Sequence, residues 1–255
     1  AGWTAPSGRS WVVGEHGRIQ SGDPTQINTS NWTNHGSGTT DTFFALLVLD
    51  GGLVATGSGE AMVQFPPGQL PATSGSDNWR GAWQAPDGTV VLAGEVGGLA
   101  WFEPGSGGFA RTTLYTDAGW LEDGGRGLAA LRMRDVWGTS TDDLLLSSEV
   151  GVYAYGLDGG ALTLRLDHDL WKLSGDVSSG AAWAVGERGY IVGRTSRTAS
   201  WQVQATEAGG TDPLYAVTAL SGSSAFAGGG GGKVFEYKAG GWTRLAGNAP
   251  DTVYD

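Results

Sequence analysis

Four glutamates occupy the same short turn at intervals along this 255-residue sequence, which makes them the first candidates for binding chemistry. Each begins a Glu-x-Gly triplet that follows a run of small and apolar residues. They are Glu15, Glu95, Glu149 and Glu187. Carboxylates gathered on one surface attract cationic groups or hard cations that prefer oxygen ligands. The alternative is structural, with each carboxylate accepting hydrogen bonds from the backbone N–H groups of its own turn.

Tryptophans are the second set of candidates, because indole rings stack on sugars as well as pack in cores. The inner-strand residues Trp3, Trp11, Trp83, Trp137 and Trp183 recur in two strand positions and are predicted to pack in the core. Tryptophans in predicted outer strands or loops are the candidates for stacking on a ligand, with packing or edge cover as the alternative. They are Trp32, Trp79, Trp120, Trp201 and Trp242.

Patterns for catalysis or metal binding are weak. In the triplet of residues 167–169, strand alternation would point the two aspartates to one face and His168 to the other, so a shared ion is not predicted. The sequence holds no cysteine, no Gly-x-Ser-x-Gly and no His-Glu-x-x-His. A sialidase-type site needs three arginines converging on a substrate carboxylate, and the arginines show no such recurrence. We therefore predict no catalytic residue, no metal and no cofactor.

Charge and hydropathy exclude further classes of function. The net charge is −11 with only three lysines, and nucleic-acid binding requires clustered basic residues. The longest apolar run, Phe43–Leu49, has seven residues, far fewer than the roughly 20 that span a bilayer. The sequence does not begin with a signal-peptide pattern, so we expect any secretion signal to have been removed.

The residues that must position these side chains belong to a repeat. Residues 5–17 read APSGRSWVVGEHG, and residues 85–97 read APDGTVVLAGEVG. Four further copies follow the same template. The residue before the glutamate position falls at 14, 57, 94, 148, 186 and 228, and Ser58 and Gly229 replace the glutamate in two copies. The intervals are 43, 37, 54, 38 and 42 residues, and a period near 40 with short strands and glycine-rich turns is typical of propeller blades.

The predicted fold is therefore all-β: a single six-bladed β-propeller of four-stranded antiparallel blades. The high glycine content, 46 residues, argues against long helices. Outer strands are predicted at Trp32, Trp171, Trp201 and Trp242, and a loop inserted into the third repeat at residues 115–127. The predicted repeats are 1–42, 43–78, 79–130, 131–172, 173–211 and 212–251.

The end of the chain resembles the start of a repeat. Residues 251–254 read DTVY, and residues 212–215 at the start of the sixth repeat read DPLY. We therefore expect residues 252–255 to close onto blade one, where residues 2–4 continue the innermost strand.

The pattern Trp-x-Val-Gly-Glu-x-Gly-x-Ile, at residues 11–19 and 183–191, resembles the blade repeats of bacterial BNR-type propellers and of the related photosystem-assembly family. In those families a Ser-x-Asp-x-Gly-x-x-Trp box follows. Here Ser21 and Asp23 begin such a box, but Thr25 stands in place of glycine and Trp32 comes late. The resemblance implies a propeller that is secreted, periplasmic or surface-exposed and that binds or assembles other molecules.

The predicted function is a non-catalytic, extracellular or periplasmic binding or scaffold module, a protein-interaction subunit of a surface or secreted assembly. Its partner surface would be the face that carries the glutamate turns or the loop at residues 115–127. The alternatives are a carbohydrate-binding lectin with sites between blades and a sialidase-like glycosidase. The predicted partner is a protein or a glycan, not nucleic acid.

Overall fold

The computed structural model describes residues 1–4, 8–25, 31–49, 52–65, 67, 70–73, 75–120, 126–159, 162–205, 212–238, 240–245 and 252–253. Within them the regular structure is antiparallel β-sheet with short 3-10 turns. The chain divides into two compact units. The first comprises Ala1–Gln84 with Gly88–Ala130, and the second comprises Ala85–Asp87 with Leu131–Asp255.

The first unit holds four of the described sheets. The first sheet is β1 Gly2–Thr4, β2 Ser10–Val13, β3 Ile19–Gly22 and β4 Thr33–His35. The second has three described strands, β5 Phe43–Leu49, β6 Gly52–Gly57 and β7 Met62–Phe65. The third is β8 Trp79–Gln84, β9 Val90–Gly94, β10 Gly98–Phe102 and β11 Ala110–Thr113, and β12 Tyr115–Trp120 pairs with β13 Arg126–Ala130 in a separate hairpin.

The second unit holds three four-stranded sheets in its described part, each with its strands in sequence order. They are β14 Met133–Gly138, β15 Leu144–Ser148, β16 Gly151–Tyr155 and β17 Thr163–Leu166; β18 Leu170–Asp176, β19 Ala181–Gly186, β20 Ile191–Arg194 and β21 Gln202–Ala205; and β22 Leu214–Ser221, β23 Ser224–Gly229, β24 Val234–Lys238 and β25 Gly241–Arg244. Short 3-10 turns lie at Glu15–Gly17, Ser58–Glu60, Glu187–Gly189 and Gly230–Gly232.

The second strand of several sheets is buried along its whole length. This holds for β9, β15 and β19, whose residues are small, aliphatic or aromatic. A strand covered on both faces needs apolar residues at successive positions, so it shows no alternation. In the second unit, Trp183 and Val185 pack with Leu214 and Phe235 in one core cluster.

The first strand of five sheets carries a β-bulge at the same position. The strand register skips one residue directly after the first paired residue in β5, β8, β14, β18 and β22. A bulge breaks the alternation of side chains and re-aims one of them. In each case the residue before the bulge is buried and the bulged residue is half-exposed. The bulged residues are Phe44, Arg80, Arg134, Trp171 and Tyr215.

Two expectations about strand position are wrong. Trp171 is not in an outer strand but is the second residue of β18, so the predicted repeat boundary at 172 falls inside that strand. In the last repeat the glutamate position is filled by Gly230 rather than Gly229, because Gly229 precedes the 3-10 turn as Gly14 and Gly186 do in theirs. A run of five glycines offers no side chain by which a sequence alignment could fix this register.

The segment predicted as an inserted loop is partly β-structure. Residues 115–120 and 126–130 pair as the antiparallel hairpin β12–β13, with an irregularity in register between Asp117 and Trp120. Described first strands begin at residues 43, 79, 133 and 214, and the repeat boundaries stay a prediction.

Candidate functional site

The bulged residues of neighbouring first strands contact one another. In the second unit the ring of Trp171 stacks on that of Tyr215, with centroids 4.9 Å apart and an interplanar angle of 26°. The guanidinium carbon of Arg134 lies 5.8 Å from the centroid of the Trp171 ring, within cation–π distance. We call these three side chains the bulge row of the second unit. They form a half-exposed aromatic surface ending in a cation.

Asp169 fixes this row from one side. Its Oδ1 accepts a hydrogen bond of 2.9 Å from Nε1 of Trp171 and lies 3.5 Å from Nε of Arg134. Burial raises the pKa of the Asp169 carboxyl above its ordinary value, and Glu187 and Glu149 add to that rise, while Arg134 and the Trp171 hydrogen bond oppose it. The structure thus brings two of the four predicted glutamates close to one aspartate beside the row.

The first unit carries a related but smaller pair. The guanidinium carbon of Arg80 lies 3.8 Å from the centroid of the Phe44 ring. Nη2 of Arg80 donates to Oε2 of Glu95 over 2.8 Å, and Nδ2 of Asn78 donates to the same oxygen over 3.1 Å. Glu95 therefore holds Arg80 in place over the ring.

The four glutamates do not share one structural role. Glu149 pairs with Arg132, whose Nη1 lies 3.5 Å from Oε2. Glu15 and Glu187 are exposed, and each closes its turn through its backbone carbonyl, which accepts the N–H of the residue three positions later. The structural alternative, in which the carboxylate accepts hydrogen bonds from its own turn, does not hold at these two turns.

The predicted stacking tryptophans differ widely in accessibility. Trp79 was expected in an outer strand or loop, but it is the first residue of β8 and its exposure is 0%. It cannot stack on a ligand at the surface, because the bulge after it turns its ring into the core. Trp201 is also buried, at 8%. The side chain of Trp120 lies outside the described residues.

Trp32 and Trp242 keep part of their rings accessible. Trp242 donates from Nε1 to Oε1 of Gln204 over 3.0 Å and meets Trp183 edge-on, with ring centroids 6.2 Å apart. Trp32 packs on the backbone of Gly22, where a Cβ atom would lie 2.7 Å from its ring. Trp32 therefore packs on β3, and Trp242 packs on β19. Whether either also meets a ligand stays a prediction.

A serine and a histidine lie within hydrogen-bond distance in the first sheet. Oγ of Ser21 is 2.9 Å from Nε2 of His35 and accepts bonds from Nε and Nη2 of Arg9 at 3.0 and 2.6 Å. Two bonds accepted and one donated use the whole capacity of a hydroxyl. Ser21 of β3 thus links Arg9, directly before β2, to His35 of β4.

The described residues contain neither a metal-binding cluster nor a membrane-spanning helix. No group of three or more histidine, cysteine, aspartate or glutamate side chains is close enough there to hold a metal ion. His168 instead stacks on Tyr190, with ring centroids 4.3 Å apart. No described helix is long and apolar enough to cross a bilayer.

The sequence reasoning missed the bulge row. The repeat pattern predicts an outer strand at Trp171 and gives no binding role to Tyr215 or Arg134. Their shared position was the available signal: each follows the first residue of a first strand, as Phe44 and Arg80 do.

Comparison with known proteins shows which fold the chain adopts. No protein-family profile and no curated protein sequence matches the chain. The structure is similar to YCF48 from Cyanidioschyzon merolae, at 12% identity over 100% of this chain and 87% of that chain, with a TM-score of 0.66. A structure of YCF48 bound to D1 peptide matches at 12% identity over 100% and 89% of the two chains, with a TM-score of 0.65.

Two further solved structures are similar. The WD40 repeats of RRP9 match at 9% identity over 96% of this chain and 78% of that one, with a TM-score of 0.71. The extracellular domain of the hybrid two-component system BT4673 from B. thetaiotaomicron matches at 14% identity over 99% of this chain and 34% of its own length, with a TM-score of 0.65. These likenesses confirm, at the level of the fold, the β-propeller resemblance carried by the repeat sequence.

Proposed function

We propose that this protein is a non-catalytic binding module whose partner is another protein, and that the bulge row of the second unit is part of its binding surface. The observation that carries the proposal is the half-exposed stack of Trp171 on Tyr215, with the guanidinium of Arg134 over the indole.

The composition of this surface matches that of protein interfaces. Tyrosine, tryptophan and arginine are the residue types enriched at the centres of interfaces and among those whose truncation weakens binding most. The three side chains are already held by stacking and by Asp169, so little rotamer freedom is lost when a partner covers them. The surrounding charges, including the Arg132–Glu149 pair and Glu187, would form a polar rim.

The structural neighbours support the same class of function. One of them is YCF48 with a bound D1 peptide, and another is an extracellular domain of a two-component system. Together with the resemblance to secreted and surface-exposed propellers, they favour an extracytoplasmic assembly as the setting. The glutamates at 15, 95, 149 and 187 are proposed to add a salt-dependent contribution to partner binding.

The test compares Tyr215→Ala with a matched control, Tyr155→Ala. Both tyrosines are half-buried residues of strands in the second unit, but only Tyr215 belongs to the bulge row. Each variant and the wild-type protein would be immobilised and incubated with extract of the source cells. Bound proteins would be quantified by mass spectrometry, and the affinity of the strongest one measured with purified components.

We expect Tyr215→Ala to weaken that affinity about tenfold or more, as truncation of a central interface aromatic does. Tyr155→Ala should leave it unchanged. Equal affinity of wild type and Tyr215→Ala would overturn the proposed surface, and enrichment of no protein by the wild type would overturn the proposed function.

A further inference from the structure

The carboxylate of Asp169 holds two members of the bulge row through a single oxygen. Oδ1 accepts the 2.9 Å hydrogen bond from Nε1 of Trp171 and lies 3.5 Å from Nε of Arg134. The second distance is that of an ion pair, and Nε of Arg134 is buried without a hydrogen-bond partner among the described residues. The attraction between opposite charges is therefore what keeps the guanidinium beside the carboxylate.

The two contacts respond differently to a proton on Asp169. A protonated carboxyl still has an oxygen that accepts the N–H of Trp171, but it has no charge to attract Arg134. Nε of Arg134 would then be buried beside a neutral group, which is unfavourable for part of a charged side chain. Since the side chain of Arg134 is 40% exposed, its guanidinium can move into water instead.

The surroundings of Asp169 make its carboxyl easier to protonate. The described charged groups that face it come from neighbouring elements and are Arg134 of β14, Glu149 in the turn after β15 and Glu187 in the 3-10 turn after β19. His168, next to it in the chain, instead stacks on Tyr190. Burial raises the pKa of the Asp169 carboxyl above its ordinary value of 3.8, the two glutamates add to the rise, and Arg134 and Trp171 oppose it. Asp169 therefore takes up its proton in milder acid than an exposed aspartate does.

We propose that Asp169 is an acid-operated latch on the bulge row: at neutral pH its carboxylate holds Arg134 against Trp171, and in acid its protonation releases the guanidinium and weakens partner binding. The consequence for binding rests on the proposed function of the row. The latch itself involves only side chains of this chain, so it can be observed without a partner. A partner bound at neutral pH would be released in acid.

The test follows the latch by nuclear magnetic resonance of the full chain, labelled with ¹⁵N at tryptophan and arginine, from pH 7.5 to pH 3.5. Trp171→Phe and Arg134→Lys identify the Nε1–H and Nε–H signals by their loss. Nε1–H of Trp242 is the internal reference, since its acceptor is a neutral side-chain amide. Asp169→Asn removes the latch charge, and the matched control Asp167→Asn removes the charge of an exposed aspartate in the same segment.

We expect the Trp171 and Arg134 signals to shift along one titration curve with a midpoint above 3.8, while the Trp242 signal stays in place. Asp169→Asn should put the Arg134 signal at its acid position already at pH 7.5, and Asp167→Asn should follow the wild type. Glu187→Gln should lower the midpoint, because a like charge is lost.

A midpoint no higher than 3.8, or an Arg134 signal that Asp169→Asn leaves unchanged at pH 7.5, would overturn the latch. If acid unfolds the chain, the Trp242 signal moves as well, and the comparison of Asp169→Asn with the wild type at pH 7.5 decides alone.

The effect on binding is measured with the partner captured in the Tyr215 experiment, at pH 7.5 and pH 5. Asp169→Asn should bind it about tenfold more weakly than the wild type at pH 7.5, with little further change at pH 5, whereas the wild type should lose affinity on acidification. Equal affinities at pH 7.5 would overturn the role of the latch in binding. Capture of no partner would overturn the proposed function, while the resonance titration would still decide whether the latch exists.

Discussion

A single hydrogen bond gives His35 a pH dependence that the sequence does not show. Because Arg9 already donates twice to Oγ of Ser21, the hydroxyl must donate to Nε2 of His35, which requires the neutral ring with its proton on Nδ1. Burial of the ring lowers the pKa of His35 below its ordinary value of 6.5, and the charge of Arg9 lowers it further. Protonation of His35 would set a third N–H donor against Oγ of Ser21, whose two lone pairs already accept from Arg9.

The fold is therefore expected to lose stability in mild acid. Since the pKa of His35 is lower in the folded state, its contribution is fully present above pH 6.5 and is lost as the pH falls below that value. The free energy of unfolding, measured by urea denaturation at pH 7.5 and at pH 5, should fall less for His35→Gln than for the wild type.

His16→Gln is the control for this experiment, because His16 is an exposed residue of the 3-10 turn at Glu15–Gly17. Its pH dependence should match that of the wild type. If His35→Gln loses as much stability as the wild type on acidification, His35 is not the group responsible.

At the residue scale, the sequence predicted which residues recur in the turns better than it predicted which side chains they contact. The four glutamates do recur in turns, as the repeat predicted. Their partners come from other elements: Arg80 binds Glu95 from β8, and Arg132 binds Glu149 from the segment before β14. No spacing within one repeat predicts such pairs, because they depend on the register between strands.

At the element scale the β-bulge of the first strands is the feature that sequence periodicity cannot show. In a regular strand, Arg134 and Trp171 would simply point to the face opposite the buried residue that precedes each of them. The bulge adds one residue and turns the following side chains, so that Asp135 is buried and its carboxylate accepts the backbone N–H of Leu173 over 3.0 Å. The bulge itself is therefore visible only in coordinates, although the shared position of these residues is visible in the sequence.

The turns that carry the glutamates differ in how much space surrounds their leading glycine. A Cβ on Gly186 would lie 2.0 Å from the backbone oxygen of Asp169, whereas no described atom lies within 4 Å of a Cβ on Gly14. Both glycines have extended backbone angles that any residue adopts, so only packing separates them.

Alanine substitution at these two glycines should therefore have unequal effects. Gly186→Ala forces apart β19 and the segment before β18, and we expect a loss of about 1–3 kcal/mol of unfolding free energy, as overpacking typically gives. Gly14→Ala should be neutral to within about 0.5 kcal/mol. Chemical denaturation of both variants measures the difference, and equal losses would show that the contact at Asp169 relaxes freely.

At the scale of the whole molecule, the repeat and the high glycine content predicted an all-β chain, which the described residues confirm. Glycine-rich turns and buried strands of small and apolar residues, such as β9 and β19, give the same local sequence pattern in each repeat. The sequence period can be recognised for this reason. Among the described sheets, the two-stranded hairpin β12–β13 departs from the three- and four-stranded pattern. Such departures follow from local packing and pairing that a shared template does not encode.

The end of the chain makes a contact that recurs in the repeats. The N–H of Val253 donates to the carbonyl of Gly229 over 3.0 Å, and the N–H of Phe43 donates to the carbonyl of Gly14 over the same distance. Phe43 is the first residue of a first strand, and Gly14 and Gly229 hold the same place before their 3-10 turns. Val253 therefore stands where a first strand would begin after the sixth repeat.

The hydrogen bond to Gly229 ties Val253 to the sixth repeat. Deleting residues 250–255 removes the Gly229 hydrogen bond and the packing of Val253, whose Cγ1 would lie 2.7 Å from a Cβ on Gly228. Since each kcal/mol lost lowers the melting temperature of a protein of this size by about 2–4 °C, we expect a fall of several degrees by calorimetry. Val253→Asp should lower it in the same direction because a carboxylate replaces an apolar contact, and Thr252→Ser should not. A truncated chain that melts at the wild-type temperature would show that the segment contributes no strand to the fold.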